Sequence, residues 1–164
     1  MKIEDVVHGD EPLTQALSHL HYGLYFLSTG ELSRPQGMLV SWVSQVGGKP
    51  PLILSAVREN RSIHPGLEKK SAFCLNLLPA RDKELLGRLA RPAGARFEGI
   101  ELEKGASDVP FLSKAVGALC CRVLEVWRPG DHLLYLGQVE SAVWRGAGPA
   151  MSAAEVGHAY LGLS

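Results

Sequence analysis

The run Gly37-Met38-Leu39-Val40-Ser41-Trp42-Val43-Ser44-Gln45-Val46, followed by Pro50-Pro51-Leu52-Ile53-Leu54-Ser55, constrains this chain more than any other stretch. A strand sends successive side chains to opposite faces, so simple alternation would give one wet face and one dry face. Here Ser41, Ser44 and Gln45 are instead held inside an apolar strand that Gly37 opens. Glycine removes a side chain and lets another backbone or a flat ligand come close. Ser and Gln offer hydrogen-bond donors without bulk or charge. That chemistry suits a planar, neutral, hydrogen-bonding ring. On spacing alone it describes still better a barrel strand whose few hydroxyls are satisfied internally.

The 164 residues argue for a single domain over 1–164. A chain this long buries roughly two-thirds of its unfolded surface and needs no disulfide or metal to fold. Lys+Arg and Asp+Glu are both 17, so no global field draws in nucleic acid or an anionic membrane. The sequence predicts three reduced thiols, because Cys74, Cys120 and Cys121 are odd in number and show no C-x-x-C spacing. That pattern fits the cytoplasm. Cys120 and Cys121 are neighbours in a strand pattern and are expected on opposite faces. No apolar run approaches the length of a membrane span, and Met1–Asp5 are followed by no apolar core, so no signal peptide is expected.

Asp10-Glu11-Pro12 predicts the start of a helix over about 11–20. His19 and His21 lie two apart, poor spacing for a shared metal on a helix, and no metal is expected. A strand follows at Tyr22–Ser28, then a turn or loop over 29–35, then the opening strand, which ends at Gly47–Pro50, and a further strand over Pro51–Val57. Arg58–Ser62 form a loop leading into a helix that ends near Lys70, with another strand at Ser71–Leu78. Leu85, Leu86 and Leu89 line one side of an amphipathic helix over 80–89. Residues 91–113 carry scattered Gly and Pro and read as an irregular excursion with a short strand near 99–102. Ala115–Trp127 and Leu133–Trp144 pair as a hairpin about Pro129-Gly130-Asp131. Ser152-Ala153-Ala154-Glu155 is a capping box opening a last helix that ends near Gly162. Short strands at even spacing with inserted helices predict a small antiparallel barrel of six or seven strands, mainly β with peripheral helices.

The wording of the motifs adds a resemblance. G-M-L-V-S-W-V-S-Q-V with P-P-L-I-L, then Ser71–Leu78, Arg96-Phe97-Glu98-Gly99 and Gly130-Asp131-His132, resemble in content and order the flavin reductase-like family, over roughly residues 20–145. The resemblance implies an FMN-binding antiparallel split β-barrel that passes hydride from NAD(P)H to flavin. FAD is the other flavin it allows. It implies a homodimer with flavin sites near the subunit interface. The electron acceptor would be a partner monooxygenase, a redox protein or a small oxidant. Two other readings stay open: a flavoredoxin-like FMN electron carrier serving another redox protein, and a flavin-less binding or assembly barrel.

Four groups of residues would carry the chemistry. Met38, Leu39, Val40, Ser41 and Gln45 would hold the flavin ring, although Leu39 stands where the family often has Thr and forgoes any hydroxyl bond there. Arg58, Asn60, Arg61 and Ser62, just before a helix, offer a phosphate cradle of charge-assisted donors; alone they also read as a solvated polar loop. His132 would act on the nicotinamide side, its ordinary pKa of about 6.5 allowing either a hydrogen-bonding or a proton-donating role. Phe97, beside Arg96, would stack on the ring or close the pocket, or be ordinary core. Asn76 is expected to serve a neighbouring backbone. The chain has no G-x-G-x-x-G, so any NAD(P)H must bind transiently over the flavin, without a Rossmann unit.

Overall fold

The computed structural model describes residues 11–146 and 148–157. Its elements in chain order are α1 (Glu11–Ser18), β1 (Tyr25–Glu31), β2 (Arg34–Val40), β3 (Val43–Gly48), β4 (Pro51–Arg58), α2 (His64–Lys70), β5 (Ala72–Leu77), α3 (Lys83–Leu89), β6 (Leu102–Lys104), β7 (Pro110–Leu112), β8 (Gly117–Trp127) and β9 (His132–Trp144). Seven strands form one sheet in the order β2-β1-β5-β8-β9-β4-β3, and every pairing is antiparallel.

The long opening strand of the sequence is therefore two strands. β2 pairs with β1 at one edge of the sheet, and β3 pairs with β4 at the other. Only Ser41 and Trp42 join them. Three residue steps reach at most roughly 11 Å, so the sheet must curl until its two edges nearly meet. They do not pair with each other, and the result is a barrel split between β2 and β3. The expected loop over 29–35 is also corrected: β1 runs on to Glu31 and β2 begins at Arg34, leaving a tight turn at Leu32–Ser33. Pro35 reads as a breaker in sequence, but β2 is an edge strand, where a residue without an N–H is tolerated.

One core cluster takes Leu27, Val40, Ile53 and Val57, Phe73, Cys121 and Tyr135 from six strands and Ile63 and Leu67 from α2 and its approach. It fills the space that the sheet wraps around. A second cluster packs Leu24 and Phe26 against Leu85 and Leu89 of α3, so the amphipathic reading of that helix holds. Asp82 caps it, accepting from Leu85 N at 2.9 Å. Residues 102–112 fold as the small β6–β7 hairpin, a little after the single strand expected there. Asn76 serves backbone, as expected: its amide donates to Phe26 O at 2.8 Å and its Oδ1 accepts from Leu112 N at 2.7 Å.

The expectation of three reduced thiols is corrected. Cys74 and Cys120 are directly paired across β5 and β8 and form a disulfide. They lie in a third cluster with Val109 and Phe111, whereas Cys121 belongs to the barrel interior. The two neighbouring cysteines thus do face opposite ways. Ser152 and Glu155 form the reciprocal capping box, each bond 3.3 Å, but it opens a single 3-10 turn over Ala154–Val156. The expected continuation to Gly162, like the Asp10 cap, lies outside the described residues.

Candidate functional site

A cleft of about 380 Å³ opens where the split edges approach. The run Gly37–Trp42 forms one wall, the end of α3 and the residues after it (Leu89, Ala90, Ala93) form another, and Arg58, Arg61, Ser62 and Arg96 gather at its polar end. The break between β2 and β3 accounts for the first wall. Strand pairing to β1 ends at Val40, so the chain at Ser41–Trp42 turns across the mouth. Gly37 is required by packing: a Cβ there would lie 2.4 Å from Cζ of Phe26. The close approach that glycine permits is taken by a core ring.

Among the residues singled out in sequence, Met38, Leu39, Val40, Ser41, Arg58, Arg61 and Ser62 line the cleft. Four others do not. Gln45 lies past the break, exposed on β3, with its amide donating to Gly47 O at 3.1 Å. Asn60 is exposed at the outer corner of a turn closed by Arg61 N donating to Arg58 O at 3.1 Å. Phe97 packs edge-on against Phe26, ring centroids 5.7 Å apart. His132 is only 6% exposed and sits behind Trp42, ring centroids 4.6 Å apart.

The polar end is strongly cationic. Arg96 donates through Nη1 to Gly37 O and through Nε to Arg91 O at 3.0 Å, which ties its guanidinium to β2. Burial, and then the charge of Arg61, lower its pKa from the usual arginine value. No carboxylate pairs with Arg61 or Arg96 among the described residues. Arg58 reaches Asp131 at 3.7 Å through Nε, while its buried Nη1 has no hydrogen-bond partner among the described residues. Three guanidiniums, two of them with no carboxylate partner among the described residues, match a phosphate group, which accepts short, charge-assisted bonds. The apolar wall beside them matches a flat ring. A flavin nucleotide fits both parts of this donor set.

A buried relay that periodicity cannot reveal holds the cationic loop. His64 Nε2 lies 2.7 Å from Arg58 O, and its Nδ1 lies 2.7 Å from the Tyr135 hydroxyl. A carbonyl only accepts, so Nε2 carries a proton, and in that tautomer Nδ1 accepts from Tyr135. Burial, then the charge of Glu68, push the Tyr135 hydroxyl up to about 12, so it stays a donor. A second tie runs through Asp131. Its carboxylate accepts from His132 Nδ1 at 2.7 Å and faces Arg58. The hydrogen bond from His132, above all, holds the Asp131 carboxyl below its usual range. Sequence reasoning missed Arg96 as a ligand by weighting its neighbour Phe97, and it had no signal for the His64–Tyr135 contact.

Comparison with known proteins places these features in context. The model of the flavin reductase like domain matches residues 17–153. A diflavin flavoprotein of Synechocystis sp. is 31% identical over 84% of this chain and 25% of its own length. The chain thus spans about a quarter of that relative. A ferric-chelate reductase (NAD(P)H) of Archaeoglobus fulgidus is 26% identical over 78% of this chain and 79% of its own. The solved structure of an NADH:FAD oxidoreductase from Streptomyces globisporus C-1027 superposes with a TM-score of 0.78 at 25% identity, covering 90% of this chain and 92% of the other.

Proposed function

The chain belongs to the flavin reductase-like family, and from that premise we propose that it is an NAD(P)H-dependent flavin reductase whose cleft takes a phosphorylated flavin, with FMN as the minimal ligand. The observation that carries the reading is the polarity of the cleft. An apolar, uncharged wall along Met38–Ser41 runs into three guanidiniums of which Arg61 and Arg96 have no carboxylate partner among the described residues. Backbone groups of β2 and the Ser41 hydroxyl bind the ring edge beside the apolar run Met38–Val40. Arg61, Ser62 and Arg96 bind the phosphate, and Arg58 is held between its carbonyl tie to His64 and its contact with Asp131. When bound, the flavin supplies the hydride-accepting centre.

His132 packs against Trp42, whose indole lines the cleft, and the reading has a nicotinamide enter past that indole. It is a positioning residue for the nicotinamide side. The protein acts as a homodimer and hands reduced flavin to a partner monooxygenase or redox protein; exposed Leu124, Val126 and Trp127 on β8 support an intersubunit surface. Anaerobic mixing with FMN and NADH or NADPH tests the activity. The flavin bands should bleach as NAD(P)H is consumed, and His132→Ala should retain flavin binding but reduce it about tenfold more slowly, the size of one lost positioning contact. Absence of flavin-dependent NAD(P)H oxidation with either nucleotide rules the reading out. Loss of flavin binding in His132→Ala would instead move that residue to cofactor binding.

A further inference from the structure

A second groove, about 290 Å³, opens off the cationic end of the cleft. Gly37, Ser62, Ile63 and Ala93 line both, so the two adjoin along a shared wall, the bend between them. Among the described residues, no carboxylate lines either part. Beyond the bend the walls are Pro35, Pro65 and Phe97, with the amide of Gln36 among them. We propose that this groove receives the adenylate half of FAD, so that the protein binds FAD more tightly than FMN. The inference rests on the flavin reading of the cleft and extends it past the phosphate.

The chemistry of the walls carries the assignment. Adenine has an apolar face, and it presents an acceptor at N7 beside a donor at N6, the pair that a Gln amide reads with its own donor and acceptor. Two proline rings and Phe97, its orientation fixed by edge-on contact with Phe26, offer flat surfaces for stacking. The Gln36 amide makes no hydrogen bond to another described residue, so its donor and acceptor are available. Its position is nevertheless defined. A Cβ on Gly66 of α2 would lie 2.3 Å from Gln36 Oε1. Gly66 has no left-handed φ that would demand glycine, and glycine weakens a helix relative to alanine. What the missing side chain provides is the seat for the Gln36 amide. Arg61 and Arg96 flank the bend, where the two linked phosphates of FAD would pass.

Titration of the wild-type protein with riboflavin, FMN and FAD, followed by quenching of tryptophan fluorescence, tests the proposal. FAD should bind about tenfold more tightly than FMN, the gain expected of one stacked and hydrogen-bonded base. Gly66→Ala places a methyl group where the amide lies and suits the helix. It should keep the FMN affinity and lose most of the FAD advantage. Gln36→Ala should lose the same advantage. FMN binding as tightly as FAD, or an FAD advantage that survives both substitutions, overturns the proposal. Binding of neither nucleotide overturns the flavin reading itself, a result distinct from equal binding of the two.

Discussion

Arg96 and Arg61 both line the polar end of the cleft, and the charge of Arg61 adds to burial in lowering the Arg96 pKa. A phosphate between them converts that repulsion into charge-assisted hydrogen bonds. Removing such bonds costs about 1.5–3 kcal/mol each, which is roughly tenfold or more in affinity. Arg61→Ala combined with Ser62→Ala should therefore weaken FMN binding at least about tenfold and leave riboflavin, which has no phosphate, unchanged. Equilibrium titration with the two ligands checks this, and unchanged FMN affinity would move the cradle elsewhere. Arg58, Arg61 and Ser62 announced themselves as a cluster before a helix. Arg96 comes from a segment 34 positions beyond Ser62 (96 minus 62) and is tied to the cleft wall by its bond to Gly37 O.

Among the elements, the β8–β9 hairpin was the easiest to read, because a Pro-Gly-Asp turn separates two long apolar strands. Its ladder contains register shifts after Cys120 and after Val123, and these were not visible in the pattern. Bulges bend a strand and increase its twist, which a sheet curling into a barrel requires. Gly137 sits in this bent region, where a Cβ would lie 2.7 Å from Cζ of Phe73 and 2.8 Å from Cβ of Cys121. Both neighbours are buried in the barrel interior, so neither can give way cheaply. Gly137→Ala should cost about 1–3 kcal/mol of stability, the range for overpacking a filled core. Urea unfolding should show the midpoint falling with the slope retained, and a midpoint equal to wild type would mean that the interior has slack at this position.

At the scale of the molecule, the Cys74–Cys120 disulfide joins two strands at the centre of the sheet and lies under the β6–β7 hairpin. Cys121 is buried beside it in sequence, and burial, then the charge of Glu140, push its thiol up to about 12. A thiol so raised holds almost no thiolate at pH 8, and thiolate is the reactive form. Iodoacetamide should therefore label none of the three cysteines in the folded protein. Under denaturing, non-reducing conditions it should label Cys121 alone, and all three after reduction. Mass spectrometry of the intact chain reads the result. Three labels without reductant would show that the disulfide is absent. The expectation of a cytoplasmic protein drew on cysteine count, and a paired Cys74 and Cys120 remove that support.

Local chemistry was sufficient for much of this protein. The amphipathic spacing of Leu85 and Leu89, the Ser152–Glu155 capping box, the turn at 129–131 and the order of short strands all depend on neighbours within a few positions, and all were legible in the residues alone. So was the chemical character of the cleft wall, because Met38–Ser41 keep it whichever strand they pair with. The break at Ser41–Trp42 was not legible. The residues on either side are equally good strand formers, and only the partners, β1 for one half and β4 for the other, separate them. The same holds for the cysteines, which meet because the β5–β8 register sets Cys74 opposite Cys120. It holds too for His64 and Tyr135, 71 positions apart. Contacts between distant strands depend on register, and register is settled by the packing of the whole barrel, which no local window of sequence contains.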